Sequence, residues 1–142
     1  MQIIRADKSD KKAILRFYRS QHYSARYLGH DQVYMIKQQQ TIIAAAMVSQ
    51  IQADSPVYFL HAVVVNSHYQ KQGLASALLL EIDKAQQSLL CFAKISLAPL
   101  YQKIAMTHQP SKQIQQLPTH LQQRYYSYLI KQPALKVFAR YI

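Results

Sequence analysis

The sequence is poor in glycine, cysteine and acidic residues, and the shortages exclude several classes of protein. It has two glycines, one cysteine and no tryptophan among its 142 residues. A lone Cys91 excludes an internal disulfide framework, and no Cys/His spacing suggests a zinc site. No apolar run approaches the ~20 residues of a membrane span, and the N-terminus lacks the apolar core of a signal peptide. We therefore expect a cytoplasmic protein without a metal, forming a single domain over residues 1–142.

Acidic residues are outnumbered by basic ones. Seventeen Lys and Arg against six Asp and Glu give a formal net charge of +11. Such a field attracts phosphate on a cofactor, a nucleic acid or an anionic substrate. The basic residues are scattered rather than collected in one block. The charge therefore predicts an anionic partner without choosing among these three.

The hydrophobic pattern predicts an α+β domain with one mixed sheet. Half of the residues are hydrophobic, which is enough for a core. Strands are predicted over 1–5, 32–37, 41–52, 57–66, 89–96 and 134–142, and helices over 10–22, 73–87, 99–106 and 118–131. Residues 22–30 form a loop or a short second helix, with Gly29 as a break. The strand over 57–66 is apolar at almost every position, as in a central strand covered on both faces, and the Gln-rich stretch 109–116 is expected to be exposed.

Gly73 separates a polar loop from an apolar helix. The first amides of a helix have no internal partner, and the helix dipole adds partial positive charge, so this point suits a phosphate. Glycine allows a close approach of the anion and unusual dihedral angles, and Lys71 adds a formal charge. The alternative is that Gly73 only turns the chain into the helix.

Three motifs in order resemble those of the GNAT family of N-acetyltransferases. The run Gln70–Ala75 (QKQGLA) resembles the Arg/Gln-x-x-Gly-x-Gly/Ala signature that holds the pyrophosphate of acetyl-CoA in that family. Upstream, Val63–Gln70 is similar to an apolar strand followed by V-x-P-x-Y-R/Q. Downstream, Leu100–Met106 is similar to L-Y-E-K-L-G-F. Ser67 replaces the usual proline, and Ala105-Met106 stands where Gly-Phe is common.

The resemblance implies a mixed, mainly antiparallel sheet flanked by helices, with the fourth and fifth strands splayed at the acetyl-CoA site. It also implies the cosubstrate contacts. These fall on the strand at Val63, Val64 and Val65, and on the loop and helix start at Gln70, Lys71, Gln72, Gly73, Leu74, Ala75 and Ser76. A backbone amide of the fourth strand would polarise the acetyl carbonyl.

Two side chains are candidates for proton transfer. Tyr101, by its place in the third motif, would protonate the CoA sulfur, because a phenol with a pKa near ~10 is protonated at neutral pH. His61 resembles a histidine that arylalkylamine N-acetyltransferases carry on this strand and use through water. The alternatives are a packed aromatic, a core histidine, and a water relay with no dedicated base. Cys91 is disfavoured as a nucleophile, since it lies in an apolar strand.

The acceptor site is expected in the first helix, the loop after it and the C-terminal segment. These parts carry basic and aromatic residues suited to an amine that also bears a carboxylate or phosphate: Tyr18, Arg19, His22, Tyr23, Arg26, Tyr27, Arg124, Tyr125, Tyr126 and Tyr128. The predicted function is acetyl-CoA-dependent transfer of an acetyl group to a primary amine of a small molecule or peptide by direct attack. The alternatives are a basic protein associated with RNA or ribosomes and a non-catalytic binder of acetyl-CoA. A homodimer is left open.

Overall fold

The computed structural model describes residues 2–28, 30–86 and 88–141. Within them the strands are β1 (Ile3–Arg5), β2 (Gln32–Gln38), β3 (Thr41–Gln50), β4 (Val57–Val65), β5 (Ser88–Lys94), β6 (Thr107–His108) and β7 (Leu135–Arg140). The α-helices are α1 (Lys11–Ser20), α2 (Leu74–Ala85), α3 (Ala98–Gln102) and α4 (Thr119–Lys131). Residues 23–28 form no helix, so the loop alternative for this segment is confirmed there. The predicted break at Gly29 and the outermost residues predicted for three elements, at 1, 87 and 142, lie outside the described residues.

All seven strands of the described part of the chain belong to one sheet, in the order β1-β2-β3-β4-β5-β7-β6. Adjacent strands are antiparallel except β4 and β5, which are parallel. The predicted α+β class with a mixed, mainly antiparallel sheet is confirmed. None of the described helices has the length and apolarity needed to cross a membrane.

The β4 and β5 strands pair only at their beginnings. The register joins Val57 to Ser88 and ends at the pair Phe59 and Leu90. Beyond that pair β4 continues to Val65 while it remains bonded to β3. The predicted splay is therefore present. Because the facing backbone groups of the two strands do not bond to each other there, the gap offers N–H and C=O groups to a ligand.

Helices cover both faces of the sheet. On one face α2 packs Leu78, Leu79 and Ile82 into the largest core cluster, and α3 adds Tyr101. On the other face α1 and α4 bury separate clusters against β3, β4 and β7. Residues 63–65 at the end of β4 are only half-buried. The prediction that this strand is covered on both faces was wrong at that end, because the splay withdraws β5 from it.

The Gln-rich stretch is exposed at residues 110–112, 115 and 116, as predicted, but the prediction was wrong at Ile114. Residues Ser111–Gln116 form a 3-10 helix, and Ile114 is buried beside Leu121 and Tyr125 of α4. A single apolar residue among polar neighbours has no period from which burial can be inferred. Just before it, β6 adds an unpredicted edge strand to β7.

Candidate active site

A β-bulge lies in β4 where the strand leaves β5. The β3–β4 register shifts between the pairs Met47–His61 and Ala45–Val64, so β4 has one more residue than β3 there. Ala62 adopts a φ of 54°, in the left-handed region that costs an L-residue about 1–2 kcal/mol. The bulge turns Ala62 toward the α1 cluster, on the face that His61 also occupies, and leaves Val63 on the α2 face.

Two tyrosines approach the backbone of the bulged residue. The Tyr18 hydroxyl, on the buried face of α1, donates to the Ala62 carbonyl at 2.8 Å. The Tyr23 hydroxyl, in the loop after α1, lies near the Ala62 N–H. Burial raises the pKa of both phenols, so both are protonated at neutral pH. The strained conformation of Ala62 is therefore fixed from outside the sheet.

The Tyr101 hydroxyl points to the fork between β4 and β5. Tyr101 is 5% exposed, and its ring stacks on Phe138 with centroids 5.6 Å apart. Its hydroxyl lies beside the thiol of Cys91, the first β5 residue beyond the last β4–β5 pair. Burial is the main cause that raises the pKa of Tyr101, and the nearby Cys91 and Tyr23 raise it further. Tyr101 thus remains a proton donor at any physiological pH, while burial also raises the pKa of the Cys91 thiol and keeps it neutral.

Gly73 caps α2 in the left-handed conformation, with a φ of 79°. A Cβ at this position would meet no atom within 4 Å, so the space beside the glycine is open. The first helical hydrogen bond runs from the Ala77 N–H to the Gly73 carbonyl at 3.0 Å. The backbone N–H groups of residues 74–76 therefore have no hydrogen-bond acceptor within the helix. Lys71, two residues earlier, also has a positive φ, of 64°. The loop contacts β4 through Gln70, whose side-chain Nε2 donates to the Val65 carbonyl at 3.4 Å.

A cavity of about 210 Å³ lies on the other face of the sheet, beside His61. The Asp31 carboxylate accepts a hydrogen bond from the Ser49 hydroxyl at 2.6 Å. The Ser49 oxygen lies 2.6 Å from His61 Nε2, and since its own proton goes to Asp31, it accepts from that nitrogen. His61 Nδ1 is then the unprotonated nitrogen, 3.4 Å from Nη2 of Arg124. Burial, followed by the charge of Arg124, lowers the pKa of His61 to about 4, so the imidazole is neutral.

The guanidinium of Arg124 is held against the cavity wall by one hydrogen bond and two aromatic rings. Its Nε donates to the Tyr128 hydroxyl at 2.6 Å. Its guanidinium carbon lies 4.9 Å from the centroid of the Phe59 ring and 5.6 Å from that of Tyr128. Burial, followed by Tyr128, raises the pKa of Tyr23 beside the bulge, and the charge of Arg124 offsets part of that rise.

The predicted acceptor residues fall into two groups. Arg26 and Arg124 line the cavity, while Tyr18, Tyr23 and Tyr128 lie around it or the bulge. The others lie elsewhere: Tyr125 donates to the Leu135 carbonyl, Tyr27 faces Lys11, and Arg19, His22 and Tyr126 are exposed. Sequence reasoning did not find Asp31, Ser49 and His120. Ser49 could have been found from the β3–β4 register, since it lies diagonal to His61 on one face.

A larger cavity of about 460 Å³ lies at the opposite end of β4, around Val57 and the Gln-rich stretch. The described residues that line it include no charged side chain. Its described lining also includes no residue of the bulge or of the Gly73 loop. We therefore place the candidate active site at the smaller cavity and the fork.

Comparison with known proteins agrees with this geometry. The sequence profile of the Acetyltransferase (GNAT) family matches residues 2–106. The chain belongs to the GNAT family of acetyltransferases. No curated protein sequence matches the chain at a significant level.

Solved structures of GNAT acetyltransferases share the fold at low identity. N-acetylglutamate synthase from Neisseria gonorrhoeae, complexed with coenzyme A and N-acetyl-glutamate, has a TM-score of 0.65 at 15% identity, over 98% of this chain and 34% of its own. A GNAT acetyltransferase from Staphylococcus aureus has a TM-score of 0.64 at 15% identity, over 98% of this chain and 97% of its own. Spermidine N-acetyltransferase from Vibrio cholerae has a TM-score of 0.60 at 8% identity, over 78% and 82%. These likenesses show the shared fold, and the N-terminal three-quarters of the chain carry the family match.

Proposed function

We propose that this GNAT protein binds acetyl-CoA in the β4–β5 fork and transfers the acetyl group to a primary amine of a small molecule or peptide by direct attack. The observation that carries the proposal is the alignment of three features along β4. These are the fork with its unpaired backbone, the bulge at Ala62 beside it, and the Gly73 loop at the carboxyl end of the strand. Together they would contact the acyl end, the arm and the phosphates of one extended molecule.

The residues present fit acetyl-CoA. The open space beside Gly73 and the free amides of residues 74–76 suit a pyrophosphate, and Lys71 adds a positive charge. The half-buried residues 63–65 offer backbone groups and apolar surface to the pantetheine arm. When bound, acetyl-CoA supplies an acetyl thioester whose carbonyl carbon accepts the amine and whose sulfur leaves as a thiolate.

The side chains of this chain would then position and move protons. An amide of the splayed part of β4 would donate to the acetyl oxygen, with the bulge beside it held by the Tyr18 hydrogen bond to the Ala62 carbonyl. Tyr101 would give its proton to the departing sulfur, since its protonated hydroxyl lies at the fork beside the Cys91 thiol. Holding the amine against the acetyl carbon would supply most of the acceleration.

Neither the pKa nor the surroundings of His61 suit a general base. Its lowered pKa of about 4 leaves it neutral but weakly basic at pH 7, and its unprotonated Nδ1 faces Arg124. The acceptor ammonium would therefore lose its proton to water at the cavity mouth, and the free amine formed would then attack. We propose that His61 positions Arg124 instead, which replaces the catalytic role that the sequence suggested for it.

The test is a screen of primary amines with acetyl-CoA, in which thiol release is followed continuously and the product is identified by mass spectrometry. We expect at least one amine to give an acetylated product in amounts equal to the thiol released. Binding of acetyl-CoA without thiol release in the presence of any amine would favour the non-catalytic alternative. A steep salt-dependent affinity for RNA, without binding of acetyl-CoA, would favour the nucleic-acid alternative.

A further inference from the structure

We propose that the Arg124 cavity binds an oxyanion, a carboxylate or a phosphate, carried by the acceptor, so that the acceptor is a small amino acid or a similar anionic amine. This rests on the proposed function, because it identifies the second substrate of the same site. The observations that carry it are the preorganised guanidinium, the missing ion-pair partner and the place of the cavity next to the bulge.

The guanidinium of Arg124 is fixed but not neutralised. Tyr128, His61 and the Phe59 ring hold three sides of it. Among the described residues no carboxylate lies within salt-bridge distance of it. A planar fork of donors that is held in one orientation without a counter-ion matches the geometry of a carboxylate or phosphate. Ordering the side chain in advance also reduces the entropy lost when the anion binds.

The one carboxylate on the described lining of the cavity is held by two hydrogen bonds. Asp31 accepts from the Ser49 hydroxyl with one oxygen and from the Leu28 N–H with the other, at 2.6 and 2.9 Å. The rest of the charged lining is basic, from Arg26 on the loop before β2 to Arg124 on α4. Asp31 is therefore the single counter-ion that this lining offers to a cationic group, so a polyamine, which carries two or more such groups, would fit poorly.

The position of the cavity limits the acceptor's size. His61 lines the cavity and directly precedes Ala62, so the wall of the cavity continues into the bulge. Val63, the residue after the bulge, is two residues from His61, and two residues of extended chain span at most ~7 Å. The cavity wall at His61 is therefore within ~7 Å of the splayed part of β4. A volume of about 210 Å³ is below the usual range of drug-sized sites, ~300–1,000 Å³. An amine and an anionic group separated by a few bonds match this space.

The experiment compares amines that differ only in the anionic group. Each common amino acid is assayed against the amine left by its decarboxylation, and O-phosphoethanolamine is assayed against ethanolamine. We expect the anionic member of at least one pair to have a kcat/KM about 10–100-fold higher, the factor that corresponds to a hydrogen-bonded charge pair. A preference in the first series identifies the anion as a carboxylate, and one in the second identifies a phosphate.

Variants assign the preference to one side chain. Arg124→Gln should abolish the advantage of the preferred anionic amine, lowering its kcat/KM about 10–100-fold more than that of the paired amine without the anionic group. Lys131→Gln removes an exposed charge from the end of the same helix and should keep the preference. Arg124→Lys keeps the charge without the fork and should restore only part of it.

Three results separate failure of this inference from failure of the proposed function. Equal rates for the paired amines, or an equal loss for both members in Arg124→Gln, would overturn the anion site while acetyl transfer stands. Absence of acetyl-CoA binding would contradict the proposed function. In that event, calorimetric titration of the amino acids and of O-phosphoethanolamine would still decide the anion site. Binding weakened by Arg124→Gln alone would support it, and no binding or an unchanged affinity would overturn it.

Discussion

Replacing Gly73 with alanine separates the backbone requirement at the start of α2 from the space beside it. The native φ of 79° is unfavourable for an L-residue by about 1–2 kcal/mol. The added methyl group would meet no atom of the protein within 4 Å, so we expect no further steric loss. Gly73→Ala should therefore lower the free energy of unfolding by ~1–2 kcal/mol, which for a chain of this size lowers Tm by roughly 3–8 °C.

Binding of acetyl-CoA should fall by a separate amount. In the proposed complex the methyl group projects into the space that the pyrophosphate occupies beside the free amides of residues 74–76. Displacing even one charge-assisted hydrogen bond would weaken binding by about 10–100-fold. Denaturant unfolding measures the stability change, and titration calorimetry with acetyl-CoA measures the change in affinity.

Gly73→Asn is the matched variant, because asparagine tolerates the left-handed region better than alanine but fills more space. We expect it to be less destabilised than Gly73→Ala and to bind acetyl-CoA no better. Unchanged affinity in both variants would refute the phosphate role and leave Gly73 as a turn residue. Recovery of affinity in the asparagine variant would show that only the dihedral angle matters.

Three further predictions concern the fork and the cavity. Tyr101→Phe should lower kcat by about 10²-fold or more with little change in the Kd for acetyl-CoA; unchanged turnover would remove its role as an acid. Tyr18→Phe should leave the buried Ala62 carbonyl without its donor, which lowers the free energy of unfolding by about 1–3 kcal/mol and also lowers kcat, as denaturant unfolding and steady-state kinetics would show. Full activity in that variant would mean that the bulge holds without the tyrosine. His61 has a pKa of about 4 in the folded protein and near ~6.5 in the unfolded chain, so the unfolded chain binds the proton first as pH falls. The contribution of His61 to stability is complete above pH ~6.5, and the free energy of unfolding should decrease by about 2 kcal/mol between pH 7 and 5. His61→Gln should remove this pH dependence. The same pH dependence in the variant would assign the decrease to other titratable groups.

Much of the fold could be predicted because its signals are local. The apolar run of β4, the stripe of α2 and the glycine between them indicated strand, loop and helix without tertiary information. The splay of β4 and β5 came from the family resemblance, since no residue pattern reports where two parallel strands stop pairing. The edge strand β6 and the burial of Ile114 had no periodic signal.

The candidate site was predictable in its residue types and not in its partners. Tyr101 was located by its motif, but its contact with Cys91 depends on how α3 folds back on β5. His61 was considered as a base because histidine titrates near neutrality, and burial beside Arg124 changes that property. Asp31 lines the cavity and contacts Ser49 across the β2–β3 hairpin, a contact that sequence spacing does not encode.

Direct titration of acetyl-CoA into the wild-type protein, with Gly73→Glu as the control, tests the proposed acetyl-CoA site most directly. Binding to the folded state alone should also raise the unfolding midpoint as the ligand concentration increases. We predict saturable binding with a rise in Tm, both abolished in the variant, whose carboxylate would repel the phosphates. No heat of binding and no shift in Tm at millimolar acetyl-CoA would contradict the assignment of the β4–β5 fork as an acetyl-CoA site.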